Sequence, residues 1–417
     1  MSLLAVTAPL TLAPLSLAPP GVAPVRAAAH APPCQSRPPQ PPDAQTGPPP
    51  PPDAPAEAPW PLQRYADDRI AGLADGQGVT VAVIDSGVDA SHPQLRGAVR
   101  AGDDLLDGAD ALVDCVGHGT AVASVIAARP IAGTEFRGLA PGSTILSMRV
   151  SEQVEVVEGA TAGRRGTAAG LATAIRRAVD LGAGVINLSL VSYRDDPAVR
   201  DAVGFAARSD VVVVAAAGNR GASGNPTPFP AAYDGVLGVG AIGQDGRRLP
   251  GSQTGPYVDL VAPGDRVVTA DPPAGHATRS GTSFAAAFVA GTAALIRQYH
   301  PELSAQQVSA RLLASADAAP GGSGRTGGGE YGAGVLNPYR ALTDHVGGAR
   351  ATAAAGPVLA PSTRTVAPPA RQRRDRAVVL TGALLAATAL VLLAAVIVPR
   401  GVRRRWRPAL DPTSSDG

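Results

Sequence analysis

Lysine is absent from all 417 residues, and cysteine occurs at only two positions, Cys34 and Cys115. Two cysteines spaced so widely give no support to a zinc ribbon or a redox motif. No acidic cluster has the spacing of a calcium-binding loop, and nothing in the chain calls for a cofactor or a metal. A basic footprint for nucleic acid is missing as well. All 36 basic residues are arginine, which we read as a coding bias, and nine of them lie between Arg371 and Arg407 with only Asp375 to oppose them. Residues 1–370 therefore carry 27 arginines against 31 acidic residues, net −4, which argues against nucleic-acid binding.

What is present divides by composition. The chain is 45% hydrophobic, enough for one large core with appendages. Residues 1–31 are apolar and end in small residues, AAAHA, like an export signal. The segment lacks a basic start, and Pro9, Pro14 and Pro19 interrupt it, so a disordered Ala/Pro tail is the alternative. Residues 32–61 hold 14 prolines, too many for a helix or an interior strand, and predict an extended arm. Residues 62–345 carry the α/β pattern described next. Residues 346–376 are a linker rich in Ala, Pro, Thr and Gly. Ala377 to Val398 is 22 residues without a charge, long enough to cross about 30 Å of hydrocarbon as a transmembrane helix. Five arginines follow it, against four arginines and Asp375 before it; this bias places the tail, 399–417, in the cytoplasm.

Apolar runs at Val79–Ile84, Thr144–Val150, Gly184–Leu190, Asp210–Ala217 and Gly235–Ala241 alternate with helical stripes. One stripe is Leu171, Ile175 and Val179; another is Ala198, Val199, Ala202, Val203 and Ala206. Strands apolar along their whole length need cover on both faces, which predicts a mostly parallel central sheet between helices with right-handed crossovers. Chemistry then belongs at the carboxyl ends of the strands. Ser304 and Gln307 form a capping-box signature for a further helix.

Three stretches carry that chemistry. GVTVAVIDSGVD reads as a buried strand ending at Asp85, VGHGTAVASVIAA as a helix start bearing His118, and RSGTSFAAAFVAGTAAL as a small-residue turn delivering Ser283 onto an apolar helix. A serine hydroxyl is inert at neutral pH until a base, usually histidine, takes its proton, and that histidine needs an orienting carboxylate. Taken singly, such an aspartate is usually a turn or cap residue, and a glycine-flanked histidine usually lies in a solvated loop. Together they follow the order Asp85, His118, Ser283, one of three chain orders in which unrelated folds build this triad. His30, His92, His276, His300 and His345 lie outside these motifs and are assigned structural or solvent roles.

In that order the chain resembles the subtilisin-like serine peptidases, through D-S-G at Asp85, H-G-T-x-V-A at His118, G-T-S-x-A at Ser283 and VVVVAAAGN ending at Asn219. The resemblance covers about Leu62 to His345. It implies the three-layer α/β fold of that family and peptide-bond hydrolysis on an extended polypeptide substrate. Asn219 is then a side-chain donor to the oxyanion beside the Ser283 N–H, and Ser189–Val191 and Ala215–Gly218 border the first pocket. Val191 stands where the family commonly has glycine, and Ala287 where it often has proline. The arm at 32–61 is too short and proline-rich to be the folded inhibitory pro-domain of most secreted members.

Cys115 lies three residues before His118, and Cys34 lies in the arm. With the missing pro-domain and the C-terminal apolar span, this resembles the mycosins, membrane-anchored subtilisin-like proteases of actinobacterial type VII secretion systems. The resemblance implies a Cys34–Cys115 disulfide clamping the arm, an extracytoplasmic catalytic domain, and components of the secretion complex as partners. Two other readings stay open: a structural subunit of that complex whose proteolysis is dispensable, and a general surface protease.

Overall fold

The computed structural model describes residues 55–345, except 56, 66, 67, 109, 158, 159 and 321–328. The signal-like segment, most of the arm with Cys34, the linker, the apolar span and the tail lie outside the described residues. Among the described residues no helix is long and apolar enough to cross a membrane.

The strands are β1 (Thr80–Asp85), β2 (Val99–Asp104), β3 (Thr144–Arg149), β4 (Val154–Val157), β5 (Ala160–Ala162), β6 (Val185–Leu188), β7 (Val212–Ala216), β8 (Val236–Ile242), β9 (Leu260–Pro263), β10 (Val267–Asp271) and β11 (Gly275–Arg279). The helices are α1 (Trp60–Tyr65), α2 (Asp68–Ala71), α3 (His118–Ala127), α4 (Ala168–Asp180), α5 (Pro197–Arg208), α6 (Thr282–Tyr299), α7 (Ala305–Ala314) and α8 (Pro338–Thr343). Seven strands form one sheet in the order β2-β3-β1-β6-β7-β8-β9, and every neighbouring pair is parallel. This is the subtilisin-like α/β architecture. β4–β5 and β10–β11 are separate antiparallel hairpins.

Alternation along each strand divides the core between two faces. Val81 and Val83 of β1, with Val212 and Val214 of β7, pack under α3 and α6. Ala82, Ile84, Val213 and Ala215 pack under α4 and α5. Both faces are therefore dry, which is why these strands read as continuous apolar runs. From β1 the sheet extends to β3 and β2 on one side and to β6–β9 on the other. That reversal opens a crevice at the carboxyl ends of β1 and β6, where a ligand site belongs.

All five apolar runs became strands of this sheet. Of the predicted stripes, Leu171 and Ile175 are buried and Val179 is half-buried against the same cluster. Val199, Ala202, Val203 and Ala206 of the second stripe are buried on α5 as expected, and Ala198 alone of that stripe is exposed. Asp196 caps α5 ahead of Pro197, so Ala198 falls in the first turn on the solvent side. The Ser304–Gln307 capping box is formed at α7.

Asp259, just before β9, has a carboxylate oxygen that accepts the Gly238 N–H at 2.8 Å. Burial pushes its pKa up to about 6, and that hydrogen bond only partly offsets the rise. Because the folded value lies above the unfolded one, this group's contribution to stability is full below about pH 4 and is lost as pH rises through 6. Asp259→Asn keeps the acceptor and removes the charge. It is expected to stabilise the fold at pH 8 by roughly 2 kcal/mol and to be neutral at pH 4, as read by chemical denaturation at both pH values. An equal effect at the two pH values would refute this account.

Candidate active site

β1 delivers Asp85 to the crevice, and its backbone carbonyl accepts the Val150 N–H at 2.8 Å and the Ser151 N–H at 3.3 Å. The side chain is 5% exposed. Its Oδ1 accepts the Ser86 N–H at 2.8 Å and faces His118 Nδ1 at 2.7 Å. With a carboxylate on Nδ1, that nitrogen carries the proton and Nε2 is left as the basic one.

His118 is the first residue of α3, whose N-cap is Gly117 at φ 75° with no side chain to cap the helix. Asp114 does the capping instead. Its Oδ1 accepts from Gly117 N–H at 2.8 Å, Val116 N–H at 3.2 Å and Ser86 Oγ at 2.8 Å. Its Oδ2 accepts from the Thr120 N–H at 2.8 Å and the Thr120 hydroxyl at 2.7 Å. Ser86 Oγ in turn accepts the Gly119 N–H at 2.9 Å. One buried carboxylate thus joins the start of α3 to the residue beside Asp85. The two elements are pressed so close that a Cβ on Gly119 would lie 2.1 Å from the Gly87 carbonyl oxygen, which accounts for the glycine of H-G-T. The sequence reading passed over Asp114 and Ser86. The usable signal was an aspartate three residues before a glycine at a helix start.

Ser283 is the second residue of α6, behind Gly281 at φ 148°. Its Oγ donates to the Ser189 carbonyl at 3.3 Å. Ser189 Oγ donates to the Ser283 carbonyl at 2.9 Å and accepts from Asn187 Nδ2 at 2.9 Å. The His118 ring lies 5.9 Å from the ring of Phe284, the next residue of α6, so the start of α6 comes up beside the histidine. In this arrangement the hydroxyl is hydrogen-bonded to Ser189 and not to His118.

Asn219 lies three residues beyond β7. Its Oδ1 accepts the Thr282 N–H and the Thr282 hydroxyl, each at 3.0 Å. Two donors on one oxygen fix which way the amide points, and Nδ2 is turned toward Gly281, where a Cβ would lie 3.3 Å from it. The N–H of Ser283 falls in the first turn of α6, where no preceding carbonyl of the helix can take it. Asn219 Nδ2 and the Ser283 N–H are thus two donors at the turn into α6, the element that also carries the Ser283 hydroxyl.

The segment Ala215–Ala217 is buried. Gly218 is closed off by Gln253, whose Oε1 would sit 2.1 Å from a Cβ there. The same oxygen accepts the Tyr193 hydroxyl at 3.0 Å. Gln253 and Tyr193 shape this wall and were not read from sequence, since neither lies in a motif. Val191 is half-buried against the core. Of the other histidines, His92 is buried with Nε2 at 3.0 Å from the Gly275 carbonyl, and His300 Nε2 lies 2.9 Å from that of Leu342.

The Subtilase family profile matches residues 76–334, and the chain belongs to that family. It is a subtilisin-like serine peptidase, and its substrates are polypeptides. Over most of its length it is similar to mycosins. It is 35% identical to Mycosin-1 of Mycobacterium tuberculosis over 368 residues, 77% of this chain and 79% of that protein. For Mycosin-3 of the same organism the figures are 34%, 79% and 81%. The solved MycP3 protease from the type VII (ESX-3) secretion system superposes with TM-score 0.58 at 31% identity, covering 78% of this chain and 100% of that one. MycP1, described as an essential component of the type VII (ESX-1) secretion system, gives 0.58 at 34%, covering 69% and 89%.

Burial lowers the His118 pKa, but the charge of Asp85 and its hydrogen bond outweigh burial and hold it above the usual imidazole value. An NMR titration of the His118 ring is expected to give an apparent pKa above 6.5, with Asp85→Asn shifting it to lower pH. A titration that does not move in Asp85→Asn would contradict the assignment of cause.

Proposed function

We propose that this peptidase works as an extracytoplasmic, membrane-anchored endopeptidase of mycosin type, partnered with a type VII secretion system, with Asp85, His118, Ser283 and Asn219 carrying the reaction. The observation that carries the site assignment is the 2.7 Å contact between Asp85 and His118 Nδ1. In the reaction Ser283 Oγ attacks the scissile carbonyl carbon as His118 Nε2 takes its proton. Asp85 stabilises the imidazolium so formed. The tetrahedral oxyanion is held by Asn219 Nδ2 and the Ser283 N–H. His118 then protonates the leaving amine, the C–N bond breaks, and water deacylates the ester by the same route in reverse. Each oxyanion donor is worth about 2.7–4 kcal/mol, a magnitude known from a subtilisin.

The secretion partnership is supported by similarity to MycP1 and MycP3 over most of both chains. Membrane anchoring is supported by the uncharged stretch Ala377–Val398. A Cys34–Cys115 disulfide tying the arm to the loop before His118 is supported by the lack of any free cysteine among the described residues. Closing that loop of about 80 residues would stabilise by roughly 4 kcal/mol in the chain-entropy description.

Ser283→Ala is expected to abolish peptide hydrolysis and labelling by a fluorophosphonate while leaving the circular dichroism spectrum and melting temperature near wild type. Cleavage at the wild-type rate would remove Ser283 from the mechanism. For topology, protease treatment of intact cells should digest a tag placed in the 346–376 linker and spare one at Gly417. The reverse pattern would overturn both the orientation and the secretion role.

A further inference from the structure

We infer that Trp60, far from the crevice in sequence, is a positioning residue for Ser283. It sits at the start of α1, and its indole N–H donates to the carbonyl of Asp265 at 2.8 Å across 205 residues. Asp265 belongs to a tight turn that touches the nucleophile's loop at two points. The carbonyl of its neighbour Gly264 accepts the Gly281 N–H at 2.7 Å. The Asp265 carboxylate accepts the Ser280 hydroxyl at 3.1 Å, and Ser280 Oγ accepts the Arg266 N–H at 2.9 Å.

The turn is strained and has little room. Arg266 sits at φ 46°, a left-handed conformation that a residue with a Cβ adopts only when its surroundings hold it there. A Cβ on Gly264 would lie 2.5 Å from the Ala241 Cβ and 2.8 Å from the Gly281 carbonyl oxygen. A shift of this turn therefore moves Gly281, and Gly281 sets both the entry of α6 and the spacing to Asn219 Nδ2.

The segment carrying Trp60 is itself anchored. Leu62 is buried, and Pro59, Pro61 and Leu62 line a small apolar cavity with Phe136, Val268 and Phe288. The Tyr65 ring meets Phe288 of α6 edge-on at 5.8 Å. Residues 59–65 thus hold α6 from the side and the turn before it from the end.

The inference rests on Ser283 being the nucleophile, which loss of labelling in Ser283→Ala checks separately. The test uses the full-length protein and a fluorophosphonate, separating the limiting inactivation rate from the inhibitor's binding constant. Trp60→Phe keeps a ring and removes the donor. Its limiting rate is expected to fall about three- to tenfold, the scale of one hydrogen bond, with the binding constant unchanged. Ser280→Ala cuts the same turn from its exposed side, and the double variant is expected to fall short of the sum of the two effects, because both act through one turn. Tyr65→Phe alters the same segment without touching the turn and should leave the rate at wild type. If Trp60→Phe fails to fold, benzothienylalanine at position 60, which replaces the N–H by sulfur at constant ring shape, should give the same fall. An unchanged limiting rate in the folded donor-free variant, or strict additivity with Ser280→Ala, would reduce the contact to ordinary packing and overturn the inference.

Discussion

The first fifteen residues of α6, Thr282 to Ile296, are all buried, and a helix buried on every side can be accommodated only if most of its side chains are small. Its sequence meets that demand with alanine, glycine, serine and threonine, and with larger residues spaced among them. At Gly291 a Cβ would come within 3.3 Å of the Leu139 Cβ, so the helix lies close to the chain leaving α3. Ala287, where the family resemblance leads one to expect proline, is fully buried in the same core. Ser283 is therefore carried on an element that is gripped along four turns, and its backbone position is set by the whole core.

The acid and the histidine are fixed by a different means. α3 and β1 are joined by carboxylates: Asp85 holds the imidazole, while buried Asp114 holds the backbone that presents it. Burial pushes the Asp114 pKa up in spite of its donors from Thr120 and Ser86. A charge in such a place is tolerated because five donors surround it, and removing any one would leave the carboxylate short of a partner. On the far side of β1, Arg149 pairs in register with Asp85 and is almost wholly buried among Asp104, Asp107 and Glu152. Such a cluster adds little net stability but fixes register, since a slip of one residue would strand every charge in it.

What could be read from the chain follows from what each element buries. β1, β3, β6, β7 and β8 are covered on both faces and announce themselves as apolar runs. β2, the edge strand VRAGDD, is half-exposed and has no such run; β9 is four residues long and reads as part of a loop. The β4–β5 and β10–β11 hairpins are held by local pairing, with no stripe to mark them. The motifs likewise named Asp85, His118, Asn219 and Ser283, because glycines and small residues flank each where backbones approach closely. Asp114 reaches Ser86 across 28 residues, Gln253 reaches Tyr193 across 60 and Trp60 reaches Asp265 across 205, and only the folded arrangement brings those contacts together.

The orientation of the serine hydroxyl adds a last step. Ser189 Oγ bonds the Ser283 carbonyl, and Asn187 bonds Ser189 Oγ in turn, so the backbone of Ser283, the proposed nucleophile, is held while its side chain keeps one torsion. The resting bond from Ser283 Oγ to the Ser189 carbonyl is 3.3 Å long, longer than hydroxyl hydrogen bonds usually are and correspondingly weak. In the proposed mechanism, giving it up for His118 exchanges one modest hydrogen bond for another, a change of about 1 kcal/mol or less. The parts that are costly to displace, namely α6, the Asn219 amide and the imidazole, are already in place. In the proposed mechanism the one part that must move, the Ser283 hydroxyl, is the one whose motion is least costly.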